Sequence, residues 1–169
     1  SSRVNPQIEE FPRANTTAVA AYAGPVIDRY IERLEQNLTR VGFKGPLRLM
    51  RSDGGVATPR AARDNPAHML LSGPAGGVIA GAELARALGI DNLVTFDMGG
   101  TSADFSVITG GTPSMVRERE IDGQPLRLPT IDIETISAGG GSIAQVDIGG
   151  ALRGGPKSAG AVPGAGCLG

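Results

Sequence analysis

The stretch that most constrains this chain runs from Leu93 to Ile108, L-V-T-F-D-M-G-G-T-S-A-D-F-S-V-I. An apolar run, Leu93 to Phe96, ends at Asp97; two glycines and a threonine follow, and residues 102–108 alternate back into apolar side chains. That is the pattern of strand, tight turn, strand. Gly99 and Gly100 carry no Cβ, so they permit positive φ and let a ligand approach the backbone closely. Amides turned outward by such a bend favour a phosphate. Asp97 and Asp104 bracket the loop and suit a divalent cation, held directly or through water. The glycine loops of mononucleotide and dinucleotide folds open straight into a helix, whereas a β-rich segment follows here. From the eight residues Asp97–Asp104 alone, a phosphate loop and a plain hairpin turn both stand as readings.

The motif D-M-G-G-T-S-A-D resembles the phosphate hairpin of the actin, sugar kinase and heat-shock chaperone ATPase superfamily. Leu71-Ser72-Gly73-Pro74-Ala75-Gly76-Gly77 lies upstream, and residues 132–144 (D-I-E-T-I-S-A-G-G-G-S-I-A) and Gly149-Gly150-Ala151-Leu152 lie downstream. In that order the chain is similar, over nearly all its length, to the hydantoinase A / 5-oxoprolinase family. That family includes N-methylhydantoinase A and the ATPase subunits of acetone and acetophenone carboxylases.

The resemblance implies an α/β chain with a partial actin-like ATPase (ribonuclease H-like) fold, a mixed sheet with flanking helices. Residues 1–90 are expected as a helix-rich segment completing a preceding lobe. Residues 91–150 are expected as the β-rich phosphate-hairpin segment of a second lobe, and 151–169 as an irregular Gly/Pro-rich tail. ATP with Mg²⁺ or Mn²⁺ is the implied cofactor. Gly99, Gly100, Thr101 and Ser102 would surround its β- or γ-phosphate. Asp97 would position the metal or its waters and, with Thr101, serve catalysis. Asp104 is a second metal candidate that could equally orient Thr101 or cap a strand. Gly139, Gly140 and Gly141 read either as backbone close to nucleotide or substrate, or as dense packing at a strand end. Many relatives carry His where this chain has Glu134, so a role of that His does not transfer. The implied reaction is phosphoryl activation of a lactam or imide carbonyl before ring opening. The alternatives are the ATPase subunit of a ketone carboxylase and a non-catalytic nucleotide-binding module. A lactam, hydantoin or ketone substrate and a second, hydantoinase B-type subunit or domain go with these.

Composition agrees with a globular chain. The chain is 40% hydrophobic but has only six aromatic residues, no Trp and 26 glycines, so its core must rely on small aliphatic side chains. Net charge is −1, with no basic stripe to meet nucleic acid. No apolar run approaches the roughly 20 residues a membrane span needs, and no signal peptide opens the chain. A lone cysteine, Cys167, excludes an internal disulfide and leads us to expect a cytoplasmic protein. With no base to pair with, Cys167 is not expected as a nucleophile. The chain begins at Ser1 without Met and ends in Gly/Pro-rich sequence that departs from the family's P-G-P-A-C-Y-G, so it is expected to be part of a longer protein.

In order along the chain, residues 1–14 read as extended. Asn15, Thr16 or Thr17 would cap a helix whose apolar stripe is Val19, Tyr22, Val26, Tyr30, Leu34, Leu38 and Val41. Pro25 should kink or split it, and Gly42 with Phe43 should end it. Leu47–Met50 reads as a short strand, with Asp53 either at a ligand crevice or in a simple turn. His68 stands alone and is expected to be structural. Ser72 would cap a small-residue helix ending at Gly89. Its start could attract an anion or serve close packing. Residues 92–96, 103–108 and 114–121 should form three consecutive antiparallel strands, continued by 126–136; 143–148 reads as a further strand.

The superfamily places nucleotide between two lobes, and only one phosphate hairpin is present here. The isolated 169 residues should therefore release phosphate from ATP weakly or not at all. A phosphate-release assay checks this, and robust turnover would contradict it.

Overall fold

The computed structural model describes residues 1–121 and 123–160. In chain order the helices are α1 (Glu10–Arg40), α2 (Pro59–Asp64) and α3 (Ser72–Leu88), with a 3₁₀ turn at Pro66–Met69. The strands are β1 (Leu49–Met50), β2 (Val56–Ala57), β3 (Leu93–Met98), β4 (Ala103–Thr109), β5 (Thr112–Pro113), β6 (Met115–Val116), β7 (Arg119–Ile121), β8 (Gln124–Leu126), β9 (Thr130–Ile131), β10 (Glu134–Ile136), β11 (Ser142–Val146) and β12 (Leu152–Ser158). All observed strand pairings are antiparallel. Two units emerge, Ser1–Ala80 with Ser114–Asp132, and Gly81–Pro113 with the chain from Ile133 onward.

The first unit is built on α1, which starts at Glu10, earlier than Asn15–Thr17 would have it. Thr16 and Thr17 do not cap. Their hydroxyls donate back to the carbonyls of Pro12 and Arg13 at 2.8 and 2.7 Å, a use of Thr inside a helix. The helix also runs unbroken through Pro25 for 31 residues. A mid-helix proline costs about 3 kcal/mol. Residues on both sides of it, Ala20 and Ile31, are anchored in core clusters, and that burial keeps both halves in one unsplit helix. The C-terminus is as expected: Phe43 N–H donates to Leu38 O at 2.9 Å and Gly42 N–H to Thr39 O at 3.0 Å, with Gly42 at φ +75°, a Schellman ending.

The buried side of α1 differs from the expected stripe. Thr16, Ala20 and Ile31 are buried, while Tyr22 is 88% and Tyr30 61% exposed. Ala20 is small enough to let the helix close on Ala67, Leu126 and Leu128. Ile31 fills the space beside Ala57 and Ala62, flanked by Ile27, Leu49 and Met69. Polar ties add to this. Asn15 Nδ2 donates to Pro125 O at 2.6 Å, the Arg127 amide donates to Thr16 Oγ1 at 3.0 Å, and Arg127 pairs with Glu9 and Glu118. Arg63 on α2 joins Asp28 and Glu35 of α1.

β1 and β2 make a two-stranded hairpin, and Asp53 sits in its turn. Its Oδ1 accepts the Gly55 amide at 3.0 Å and its Oδ2 pairs with Arg51, so the simple-turn reading describes it. Thr58 Oγ1 caps α2 by accepting the Ala61 amide at 3.2 Å. α3 differs at its start. Ser72 is already helical, and Leu71 precedes it at φ +58°, the one positive φ outside glycine among the described residues. Its end is as expected, with Gly89 at φ +69° and Ile90 N–H donating to Ala85 O at 2.9 Å.

In the second unit β3 and β4 pair along their length, and β10 pairs with the other edge of β4. Gly110 and Gly111, both at positive φ, form the two-residue turn that such a hairpin favours. The expected third strand is nonetheless short. Only Thr112 and Pro113 pair with β4. Pro113 has no amide to continue a ladder, and from Ser114 the chain joins the first unit. There β6 pairs with β9 and β7 with β8, so of residues 126–136 only Glu134–Ile136 extend the β3–β4 sheet. Leu152–Ser158, in the stretch expected to be irregular, forms β12 against β11. The turn between them is closed by Asp147, whose Oδ1 accepts the amides of Gly149 and Ala151. The hydrogen bond from Arg153, then that from Ala151, holds the Asp147 carboxyl below its ordinary pKa. Ala161–Gly169, with Cys167, lie outside the described residues.

The rotated face of α1 is testable by urea unfolding. Ile31→Ala should cost about 2–4 kcal/mol, the usual loss for a buried large aliphatic. Tyr22→Ala should stay within about 0.5 kcal/mol, whereas the sequence stripe would make Tyr22 the costlier loss.

Candidate functional site

The site candidates from sequence gather in the second unit, around the bend between β3 and β4. The strands enter and leave this bend in strict register, with Phe96 opposite Phe105, Asp97 opposite Asp104 and Met98 opposite Ala103. The Gly99 amide donates to Ser102 O at 2.9 Å, which closes the bend. Gly99, Gly100 and Thr101 are exposed, Ser102 half-buried, Asp97 exposed and Asp104 half-buried. The bend is therefore a solvent-facing tip with a carboxylate on each of its two strands.

The glycine run 139–141 packs directly on this tip. The Gly140 amide donates to Gly99 O at 2.9 Å and the Gly141 amide to Gly100 O at 2.7 Å. A Cβ at Gly139 would stand 2.6 Å from Gly99 O and 2.7 Å from Thr101 N; one at Gly141 would stand 2.9 Å from Gly100 O. Only glycine permits backbones to meet so closely. Ser142 Oγ accepts the Gly139 amide at 2.8 Å, and the Ala159 amide beyond β12 donates to Gly141 O at 2.7 Å. The glycine loop is thus held from both sides.

This contact sorts the polar groups of the tip. Two of its carbonyls, which would repel an anion, are taken up by amides of the second loop. Among the described residues, the amides of Gly100, Thr101 and Ser102 have no acceptor, and neither Asp97 nor the Thr101 hydroxyl has a hydrogen-bond partner. Free amides at an exposed bend can hold anionic oxygens. Beside them, two carboxylates directly opposite one another repel and offer hard oxygen ligands to a cation. The donor set therefore fits a metal-complexed phosphate.

Thr135 went unassigned in the sequence. It lies opposite Asp104 across β10 and β4, and its Oγ1 donates to Asp104 Oδ1 at 2.6 Å. Glu134, its neighbour, is exposed and faces Phe105 in register. Spacing gives no signal for Thr135, since 31 residues separate it from its partner and the intervening chain passes through the other unit.

Two sequence candidates lie elsewhere, in the first unit. Asp53 is engaged in its turn. His68 is half-buried; burial, then Arg51, pushes its pKa down, against the opposing pull of Asp53. No group of three or more metal-ligating side chains occurs among the described residues. Nor is any described helix long and apolar enough to cross a membrane.

Comparison with known proteins agrees on one family. The hydantoinase/oxoprolinase profile matches residues 13–169. Caprolactamase subunit alpha of Pseudomonas jessenii is 43% identical over 166 residues, covering 98% of this chain and 24% of that protein. 5-Oxoprolinase 1 of Arabidopsis thaliana is 38% identical, covering 99% of this chain and 13% of that protein. Among solved structures, the ATP-dependent caprolactamase of Pseudomonas jessenii superposes with a TM-score of 0.76 at 40% identity, over 97% of this chain and 24% of that one. The nucleotide-free acetone carboxylase, from work on ATP-dependent acetone carboxylation, superposes with a TM-score of 0.78 at 32% identity, over 92% of this chain and 22% of that one. The chain spans about a quarter or less of the length of these relatives. Profile, sequence and mixed α/β architecture together make this chain a member of the hydantoinase/oxoprolinase family.

Proposed function

We propose that this chain is the phosphate-hairpin portion of an ATP-dependent cyclic-amide hydrolase, acting on a lactam or imide. The observation that carries the reading is the sorted bend at Gly99–Ser102, with the Gly99 and Gly100 carbonyls tied to Gly140 and Gly141 and the amides of Gly100, Thr101 and Ser102 open beside Asp97 and Asp104. On this reading the chain is part of an actin-like ATPase fold, with Gly81–Pro113 and the chain from Ile133 onward in its second lobe. Gly99, Gly100, Thr101 and Ser102 hold the terminal phosphates of ATP. Asp97 and Asp104 hold Mg²⁺ or Mn²⁺, directly or through water. When bound, ATP supplies the phosphoryl group that activates the amide carbonyl, so that water can open the ring. The contribution of the bend is positional and electrostatic, the main sources of acceleration in phosphoryl transfer. Gly139–Gly141 act by holding the bend in shape.

The base for ring hydrolysis is assigned to another domain or a second, B-type subunit; the name "subunit alpha" of the caprolactamase relative fits such an assembly. A ketone-carboxylase ATPase subunit is the second reading, favoured by the superposition on acetone carboxylase. The higher identity to caprolactamase, 43% against 32% for acetone carboxylase, weighs toward the hydrolase.

Three measurements on the full-length protein with its neighbouring subunit test this. ATP consumption should be stimulated by lactams, hydantoins or 5-oxoproline; stimulation only by ketone plus bicarbonate would establish the second reading instead. Asp97→Ala should abolish metal- and ATP-dependent turnover with the circular dichroism spectrum unchanged, and full activity would remove Asp97 from the mechanism. Gly139→Ala should lower kcat/KM for ATP by about 100-fold or more, since the added methyl meets three backbone atoms of the bend and a small misplacement costs about that much. Gly140→Ala, whose methyl meets nothing nearer than 3.9 Å, should be far milder; equal losses would refute the packing argument.

A further inference from the structure

One row of side chains crosses three strands. Thr135 on β10 stands opposite Asp104 on β4, and Asp104 opposite Asp97 on β3. Residues directly opposite in antiparallel pairs share a face, so all three lie on the same side of the sheet, with Cβ atoms of neighbours about 4.5–5.5 Å apart. Two of the three are acids, and like charges so placed repel. Left alone, each carboxylate would swing away from the other and the pair would present no defined set of oxygens.

The third member changes this. Thr135 Oγ1 donates to Asp104 Oδ1 at 2.6 Å, within the range of a charge-assisted O–H···O⁻ bond, about 2.5–2.7 Å. The bond links two side chains rather than two ladder groups, so β10 would pair with β4 without it. It occupies one oxygen of Asp104 and leaves the other, and both oxygens of Asp97, without a partner among the described residues. A side chain held by one hydrogen bond of this kind keeps its rotamer when its neighbour is charged.

We propose that Thr135 is a positioning residue: its hydroxyl fixes Asp104 so that Asp104 and Asp97 present their oxygens together to the divalent cation that accompanies the nucleotide. The proposal rests on the reading of the hairpin given above. It predicts a dependence on the hydroxyl itself, because Val has the shape of Thr and suits a strand equally well, whereas Ser keeps only the donor.

The test is Mn²⁺ binding to the full-length protein with its neighbouring subunit, in the presence of ADP, followed by the electron paramagnetic resonance signal of free Mn²⁺. Thr135→Val should raise the Kd for Mn²⁺ roughly tenfold, as loss of one hydrogen bond to a charged group implies. Thr135→Ser should stay within about threefold of the parent, and the melting temperature without metal should be the same in all three. Unchanged binding in Thr135→Val, or equal weakening in Thr135→Ser, overturns the proposal. Should Thr135→Val fail to fold, Thr135→Ala replaces it under the same criteria. Asp97→Ala is run in parallel and separates the two levels. If it binds Mn²⁺ as the parent does, the hairpin reading has failed and this proposal with it. If it loses binding while Thr135→Val keeps it, only the role of Thr135 has failed.

Discussion

The contact on which the site depends is between two stretches of bare backbone. Amides of Gly140 and Gly141 donate to carbonyls of Gly99 and Gly100, with no side chain between them. An exposed bend normally offers donors and acceptors alike to solvent, and so has no preference for anions. Here the Gly99 and Gly100 carbonyls are taken up by a second loop, and the amides of Gly100, Thr101 and Ser102 are left over. On the proposed reading, the preference for an anion comes from the loss of these two carbonyls, and it lasts only while the two loops stay within van der Waals reach. The glycines at 139 and 141 are therefore a steric requirement of the arrangement, because any Cβ there would meet backbone that cannot turn aside.

The rest of the second unit keeps these loops in place. β3 and β4 deliver the bend in register, and β10 lies along the free edge of β4, directly before the glycine run. β11 and β12 leave that run as a hairpin whose far end returns to it at Ala159 and Gly141. Its turn is locked by Asp147, which takes two amides and Arg153. A Cβ at Gly81 would stand 2.7 Å from Thr95 Cγ2, so the latter half of α3 lies close against β3. Gly81 serves that closeness, and the packing reading accounts for it without an anion.

Much of this was legible in advance where the physics is local. The Schellman endings at Gly42 and Gly89 need only a left-handed residue after an apolar turn. The turn at Gly110–Gly111 needed only paired glycines between alternating strands; the bend after Asp97 was placed by the same pattern, although neither Gly99 nor Gly100 takes a positive φ. Expectations went astray where distant packing decides. The stripe of Tyr22, Val26 and Tyr30 has ideal helical spacing, yet the first unit closes on Ala20 and Ile31, because small residues at Ala62 and Ala67 make room on that side. Pro25 predicts a kink or a split from its own ring and missing amide; the helix is not split, because burial on both sides of it outweighs that local cost. The third strand stops at Pro113 because the next residues pair in the other unit, which no window around residue 114 reveals.

By itself, the sequence determined the family, the position of the bend and the identity of the two acids that flank it. These follow from residue types at short spacing, and short spacing is enough to specify a turn. Only the tertiary structure decided what the bend can do. It brought Gly140 and Gly141 onto carbonyls some 40 residues earlier, and set the Thr135 hydroxyl on Asp104 although the sequence between them passes through the other unit. Such pairings come from strand register and loop closure over long separations, and the residues involved carry no mark of their partners.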